Sequence, residues 1–455
     1  MGGPGMSEHL DRRQMELGHE RLPAAGGDRH LPAPDPIARD YLLLALRLGK
    51  VLPGLVAAYF GPADLRAAVE AEAPHSASRL REDSSALAAR LPREVEAEDR
   101  LSWLQAQLVA LEAQALMLTG DPLPYLDYAE CLLGIAPERT PEAVFESAED
   151  DLARLLPSGE MRKENVRDRL AAWNAQFVIA PDRLPAVVEW LTANLRDRAD
   201  RMLGLPAGEH VEFEYVSGGP WSAFNEYAGA FRSLIEVNTE QVSTPSALIA
   251  MTAAECYPGR HTEHAWKERR LVGEMGRLEA SVSLLNTPEA LIGEGLAFMG
   301  ERMIAPDDTM PDLLLELFER GGLPIAADQA AARDAADKGA RVSRAVSSLR
   351  AVTANAAIQL HAEGASRRDV TAYLRRYLLS SPDRTDRQMA LIEDPIGKVQ
   401  VLVGPAGERL LRRWFELGPA TEQVYRFSRL LREQLTPGAI ATEVTSTGFG
   451  GAGWQ

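Results

Sequence analysis

The residues best equipped for chemistry lie in one short stretch, Ala254-Glu255-Cys256-Tyr257-Pro258-Gly259-Arg260-His261-Thr262-Glu263-His264, and in Glu294-Gly295-Leu296-Ala297 further along. Before the Pro258-Gly259 break, Leu248, Met251 and Glu255 recur at helical spacing, so an apolar stripe ends on a carboxylate. After it, His261 precedes His264 by one turn, and His264 heads a second stripe through Leu271, Met275, Leu278 and Val282. Pro258 must break or kink the helix between them. A third helix, opened by Thr287-Pro288, carries Glu294 with Glu301 two turns on, and Gly295 would let another backbone come close. Packed together, these helices could bring Glu255, His261, His264 and Glu294 into reach of one another. Imidazole nitrogens and carboxylate oxygens are ligands zinc accepts, and a carboxylate left over is a base able to activate water. Equally, each is a boundary residue that makes a hydrogen bond beside an apolar stripe, and spacing alone leaves both readings open.

Positioning such residues falls to helices. From Asp35-Pro36 onward, apolar residues recur at intervals of three and four, and periodic segments fill 63–91, 95–119, 141–156, 162–178 and 182–203, then 308–320, 325–363, 367–379 and 406–434. One region changes period. Val211 to Val216 alternates apolar and acidic residues and Arg232 to Asn238 is β-branched, which predicts two strands flanking Gly218-Gly219-Pro220-Trp221. The expected fold is mainly α, a large helical body around a cleft with a small β-ribbon at about 210–238. That ribbon is either a surface hairpin or an edge strand offering its backbone to an extended peptide. The expected organisation is a disordered tail over 1–35, one helical domain over 36–440 and a flexible tail over 441–455.

Composition narrows the function classes. The chain has 455 residues, 45% hydrophobic and 25% charged, so core size is not limiting. A net charge of -17 repels phosphate backbones and anionic lipid, which argues against nucleic-acid and membrane partners. The most apolar stretch, Tyr41 to Phe60, is broken by Arg47, Lys50 and Pro53 and reads as a buried helix, short of the ~18 apolar residues of a span. Cys131 and Cys256 form neither a disulfide framework nor a Cys-x-x-Cys pair, and the N-terminal residues lack a secretory core, so a reducing, cytoplasmic setting is expected. Gly448 to Gly453 matches a dinucleotide-binding glycine pattern only formally, because neither a strand nor a helix flanks it.

Tyr257-Pro258-Gly259-Arg260-His261-Thr262-Glu263-His264 and Glu294-Gly295-Leu296-Ala297 resemble a large bacterial family of gluzincin-type metallopeptidase-like proteins, distantly similar to thimet oligopeptidase and carboxypeptidase Taq. Its hallmark is His-Glu-x-x-Pro-Gly-His-His followed by Glu-Gly-x-Ala. Tyr59-Phe60-Gly61-Pro62, Trp221 to Asn238 and Leu360 to Gly364 extend the resemblance over most of 40–435. The family pattern implies a zinc ion held by the two motif histidines and the later glutamate, with the glutamate after the first histidine activating water. Residue by residue, Glu255 then matches the general base and Glu294 the glutamate ligand, but Ala254 and Arg260 stand where the histidines belong. Alanine has no lone pair and arginine stays protonated, so neither holds a cation. Arg260 could instead pair with Glu255 or Glu294.

The resemblance therefore implies a metallopeptidase-like protein with a degenerate zinc site, inactive or repurposed, binding a peptide-like or small carboxylated ligand in its cleft. Arg260, Tyr257 and Arg232 are then the substrate-binding candidates, and His361 a candidate for substrate binding or oxyanion stabilisation. The alternative is an active metal-dependent hydrolase of peptide or amide bonds, with zinc on a rebuilt site of His261, His264 and Glu294, Cys256 as a further donor, and Glu255 as base. A helical interaction protein with no ligand in its cleft is the third class. Where family tyrosines are expected near 397–407, the chain has Gly397 to Val403 instead.

Overall fold

The computed structural model describes residues 31–157, 165–217, 222–241 and 243–446. The chain is mainly helical, with one two-stranded and one three-stranded sheet among the described residues. Local sequence chemistry fixes many helix starts. Asp35, Ser76, Asn165, Thr244, Thr287, Ser366 and Ser381 each accept a backbone N–H at the helix entrance, and proline occupies the first turn after Asp35, Thr244, Thr287 and Ser381. No described helix is long and apolar enough to cross a membrane.

Three apolar clusters form the interior. One joins the helices Glu142–Leu155, Leu184–Leu203, Met310–Arg320 and Gln329–Ser347 to Ile235 and Val237 of the larger sheet. A second joins the helices Pro36–Val51, Ala77–Glu94 and Glu98–Leu118 to the small sheet. The third is built on the helices Pro288–Ile304, Gly397–Phe415 and Ala420–Arg432. The chemistry-bearing segment sits where they meet: Leu248 and Tyr257 belong to the first, Leu271 to the second, and Leu291 to the third. Gly295 and Gly407 let two helices of the third cluster touch, since a Cβ on Gly407 would lie 2.2 Å from the Leu291 carbonyl oxygen.

The small sheet pairs β1 (Val56–Tyr59) with β5 (Val282–Leu284), antiparallel. The larger sheet has the order β2 (His210–Val216), β4 (Arg232–Asn238), β3 (Ala223–Gly229), with β2 parallel and β3 antiparallel to the central β4. The expected ribbon is therefore three strands rather than two. Two further expectations are corrected. Tyr41 to Phe60 is not one helix, because the helix ends at Val51 and Val56–Tyr59 pairs as β1. Ala441 does not begin a loose tail, since Pro437–Ser446 is helical and Ile440 is buried. The segments 63–91 and 325–363 are each divided into shorter helices, and 406–434 begins earlier and breaks between Phe415 and Ala420. Tail residues 1–30 and 447–455, and Gly218 to Trp221, lie outside the described residues.

Candidate functional site

The helix Pro245–Glu255 ends on the carboxylate that the sequence singled out. A cis Tyr257–Pro258 bond and Gly259 turn the chain at once into the helix Arg260–Lys267. Gly259 is required by close approach: a Cβ there would lie 2.0 Å from the Ala254 carbonyl oxygen. From β3, Asn225 donates its amide to the Glu255 carbonyl at 2.7 Å, fixing the sheet against the end of that helix.

Arg260 bridges the two carboxylates. Its Nε lies 3.2 Å from Glu255 Oε2 and its Nη2 lies 2.5 Å from Glu294 Oε1. The side chains are 26%, 14% and 16% exposed for Arg260, Glu255 and Glu294, so the group is largely removed from water. Burial pushes the Glu255 carboxyl above its usual range; Arg260 opposes the shift and Glu294 adds to it. Burial works against the charge on Arg260, yet Glu255 and Glu294 outweigh it and hold the guanidinium protonated. Gln400 reaches Glu294 Oε1 with its amide nitrogen at 3.4 Å, a weak contact.

These residues do not fit a zinc ion. Ala254 brings no donor, and the guanidinium of Arg260 is already the cation shared by Glu255 and Glu294. The candidate ligands His261, His264 and Glu294 are not brought together. Among the described residues, no three histidine, cysteine, aspartate or glutamate side chains converge as a metal-holding group.

His261 instead belongs to a buried network. Its Nε2 lies 2.9 Å from Glu209 Oε2 and its Nδ1 lies 2.8 Å from Ser233 Oγ. Glu209 also accepts the Tyr257 hydroxyl and, at 2.6 Å, the Nε of Arg196. Burial works to raise the Glu209 carboxyl, but the His261 and Tyr257 donors outweigh it and hold it below its usual range. Burial lowers the His261 imidazole despite that carboxylate. A carboxylate only accepts, so Nε2–H donates to Glu209 and Nδ1 accepts from Ser233. A Ser-His-Glu chain looks like nucleophile chemistry, but all three side chains are buried and Ser233 lies on the central strand, so the chain pins β4 to the helix Arg260–Lys267. Tyr257, expected at the substrate, is committed to the same interior carboxylate.

His264 points elsewhere, with Nε2 at 3.1 Å from Oγ of Ser283 in β5. Burial brings its imidazole down to about 4 against the opposing charge of Glu263, with Lys267 and Arg260 adding to the fall. Arg232 is paired with Glu212 across β2 and β4. His361 donates through Nε2 to the Ile392 carbonyl at 2.9 Å and lies tilted against the Tyr125 ring, an arrangement that closes a helix end. Sequence reasoning did not single out Glu209, Ser233, Asn225 or Gln400. Nor did it find the buried Lys267 that joins Glu263 at 2.6 Å to Glu289 at 2.7 Å.

No family model matches the chain. No curated protein matches it either. Among solved structures, one described as a "putative lipoprotein" from Colwellia psychrerythraea is similar at 14% identity and a TM-score of 0.48, covering 82% of this chain and 67% of that one. Another, a "putative lipoprotein of unknown function" from Shewanella oneidensis, has 11% identity and a TM-score of 0.47, covering 97% of this chain and 92% of that one.

Proposed function

We propose that this chain is a non-hydrolytic, ligand-binding protein on a metallopeptidase-like helical scaffold, in which a fixed guanidinium takes the role a metal ion would have in an enzyme of that kind. The observation that carries the reading is the position of Arg260 between Glu255 and Glu294. Bound to that guanidinium, the Glu255 carboxylate serves as a counterion and not as a free base. The occupant proposed is peptide-like, entering beside β3, whose Asn225 touches the Glu255 carbonyl. A ligand carboxylate is poorly served here, because Arg260 and Arg232 are both already paired with glutamates.

Elemental mass spectrometry of purified wild type and of the Ala254→His, Arg260→His double variant tests this. The expected result is metal-free wild type and about one zinc per chain in the double variant. Stoichiometric zinc in wild type, with peptidase activity abolished by Glu255→Gln, would overturn the reading in favour of a working hydrolase.

A further inference from the structure

Positive charge gathers at the C-terminal end of the helix Pro288–Ile304. Burial, Arg412 and Arg344 hold the Arg302 guanidinium below its ordinary range, Glu408 opposes the shift and Arg350 adds to it, so these side chains act on one another at close range. Arginine stays protonated at neutral pH all the same. Three carboxylates pair with the group: Glu301 with Arg350 at 2.8 Å, Asp307 with Arg344 and Glu408 with Arg412. Arg302 is left over. Its one ion-pair contact among the described residues is to Glu408 Oε1 at 4.0 Å, an atom Arg412 already engages, and it makes no hydrogen bond among them. Arg412 shows the same shortage of acceptors, since its Nε is buried without a partner among the described residues. Four guanidinium groups against three carboxylates leave one positive charge, and protonating any of the three would only enlarge the surplus. On a chain of net charge -17, such a spot is where an anion is drawn in.

The spot is continuous with the cleft already described. Between Leu291 and Gly300 only Glu294 and Phe298 are not buried, and Arg302 continues their spacing of four with a side chain 30% exposed. Opposite them Gln400, Gly404 and Glu408 keep the same spacing: Gln400 reaches Glu294 at 3.4 Å, a Cβ on Gly404 would lie 2.6 Å from the Phe298 ring, and Glu408 faces Arg302. Arg350 flanks the strip, 4.6 Å from the centre of the Phe298 ring. From Glu294 to Arg302 the rise is about 12 Å, close to the roughly 13 Å of four extended peptide residues.

We infer that Arg302, with Arg412 beside it, is a subsite for a carboxylate on the peptide-like ligand. A carboxylate brings one negative charge to a surplus of one, and its two oxygens accept from the uncommitted fork of Arg302. A phosphate group, at about −1.5 to −2, exceeds the surplus and meets Glu301 and Glu408. The inference rests on the non-hydrolytic reading for its peptide-like occupant, and it supplies the carboxylate partner that Arg260 and Arg232, both paired, do not.

Isothermal titration of the full chain at neutral pH tests this. The probes are N-acetylated tetra-alanine with a free carboxylate, the same peptide amidated, and inorganic phosphate. The expected result is binding of the free acid, weakened at least about tenfold by amidation, with phosphate weaker than the acid. Arg302→Gln should weaken the acid about tenfold and bring it level with the amide, and Arg302→Lys, which keeps the charge but loses the fork, should fall between. Arg302 holds no hydrogen bond among the described residues, so both variants should unfold at the wild-type denaturant midpoint. Equal binding of acid and amide, an unchanged acid affinity in Arg302→Gln, tighter binding of phosphate, or no binding of any probe overturns the inference. Equal binding of the two peptides leaves the non-hydrolytic reading standing, whereas zinc-dependent cleavage of the peptide removes that reading and leaves an acid preference that depends on Arg302 intact.

Discussion

The Nη2 of Arg260 lies 2.5 Å from Oε1 of Glu294, across the gap between the helices Arg260–Lys267 and Pro288–Ile304. The same guanidinium reaches Glu255 on the preceding helix. One side chain thus ties three helices, and its removal leaves two buried carboxylates facing each other. Arg260→Ala should lower stability at neutral pH by about 3 kcal/mol, the cost of uncompensated buried charge. Glu255 already titrates above 4.5 in the folded protein, so its protonated form favours folding: stability from it is fully present below that pH and lost as pH rises. Denaturant titrations should therefore show the variant's deficit shrinking as pH falls towards 4.5. A deficit that is constant with pH would mean that the arginine acts by packing alone.

His264 supplies a pH dependence of the opposite sign. Its folded value of about 4 lies below the ordinary 6.5, so the native state binds fewer protons than the unfolded chain. The stability from neutral His264 is present above 6.5 and lost as pH falls through the window to about 4. Across it, wild type should lose about 2–3 kcal/mol more than His264→Gln, which keeps a donor for Ser283 but cannot titrate. Parallel curves for the two proteins would show that His264 is not the group responsible.

How much of this was legible in sequence depended on the range of the interaction. Asp35-Pro36, Thr244-Pro245 and Thr287-Pro288 announce their helices because a cap and a first-turn proline act within one turn. The pairing of Arg260 with Glu255 and Glu294 was legible too, because a guanidinium cannot ligate metal and both carboxylates lie on neighbouring helices. Glu209 was not, since its partner His261 is 52 residues away and no motif surrounds it. Ala223–Gly229 escaped because its inward face carries Asn225 and Tyr227, so no alternation of apolar and polar residues marks the strand. Val56–Tyr59 escaped because its strand partner is β5, far along the chain.

The closeness of the helices Pro288–Ile304 and Gly397–Phe415 gives a third prediction. Gly407→Ala would place its Cβ 2.2 Å from the Leu291 carbonyl oxygen, a backbone atom that cannot rotate away. The helices must separate, and Glu294 moves with the first of them. A loss of about 2 kcal/mol in denaturant unfolding is expected. Unchanged stability would show that the two helices slide freely enough to absorb a methyl group.

The turn joining β3 to β4 is built without glycine at its centre. Ala230 and Phe231 have φ values of 51° and 58°, the left-handed conformation that suits a two-residue hairpin but strains side-chain-bearing residues. Glu268 offsets that strain: its carboxylate accepts the N–H of Ala230 at 2.9 Å and of Phe231 at 3.1 Å, and the Tyr227 hydroxyl at 2.6 Å. Glu268→Ala should therefore cost about 3 kcal/mol, more than a single neutral hydrogen bond, because two backbone donors are left unmet beside a strained turn. Ala230→Gly should work the other way and add about 0.5 kcal/mol, the relief of one left-handed residue less the extra entropy of an unfolded glycine. In the Glu268→Ala background the same glycine substitution should recover more stability than it adds to wild type, because the strain is then unopposed. Equal gains in the two backgrounds, measured by denaturant unfolding, would show that the carboxylate and the turn conformation act independently.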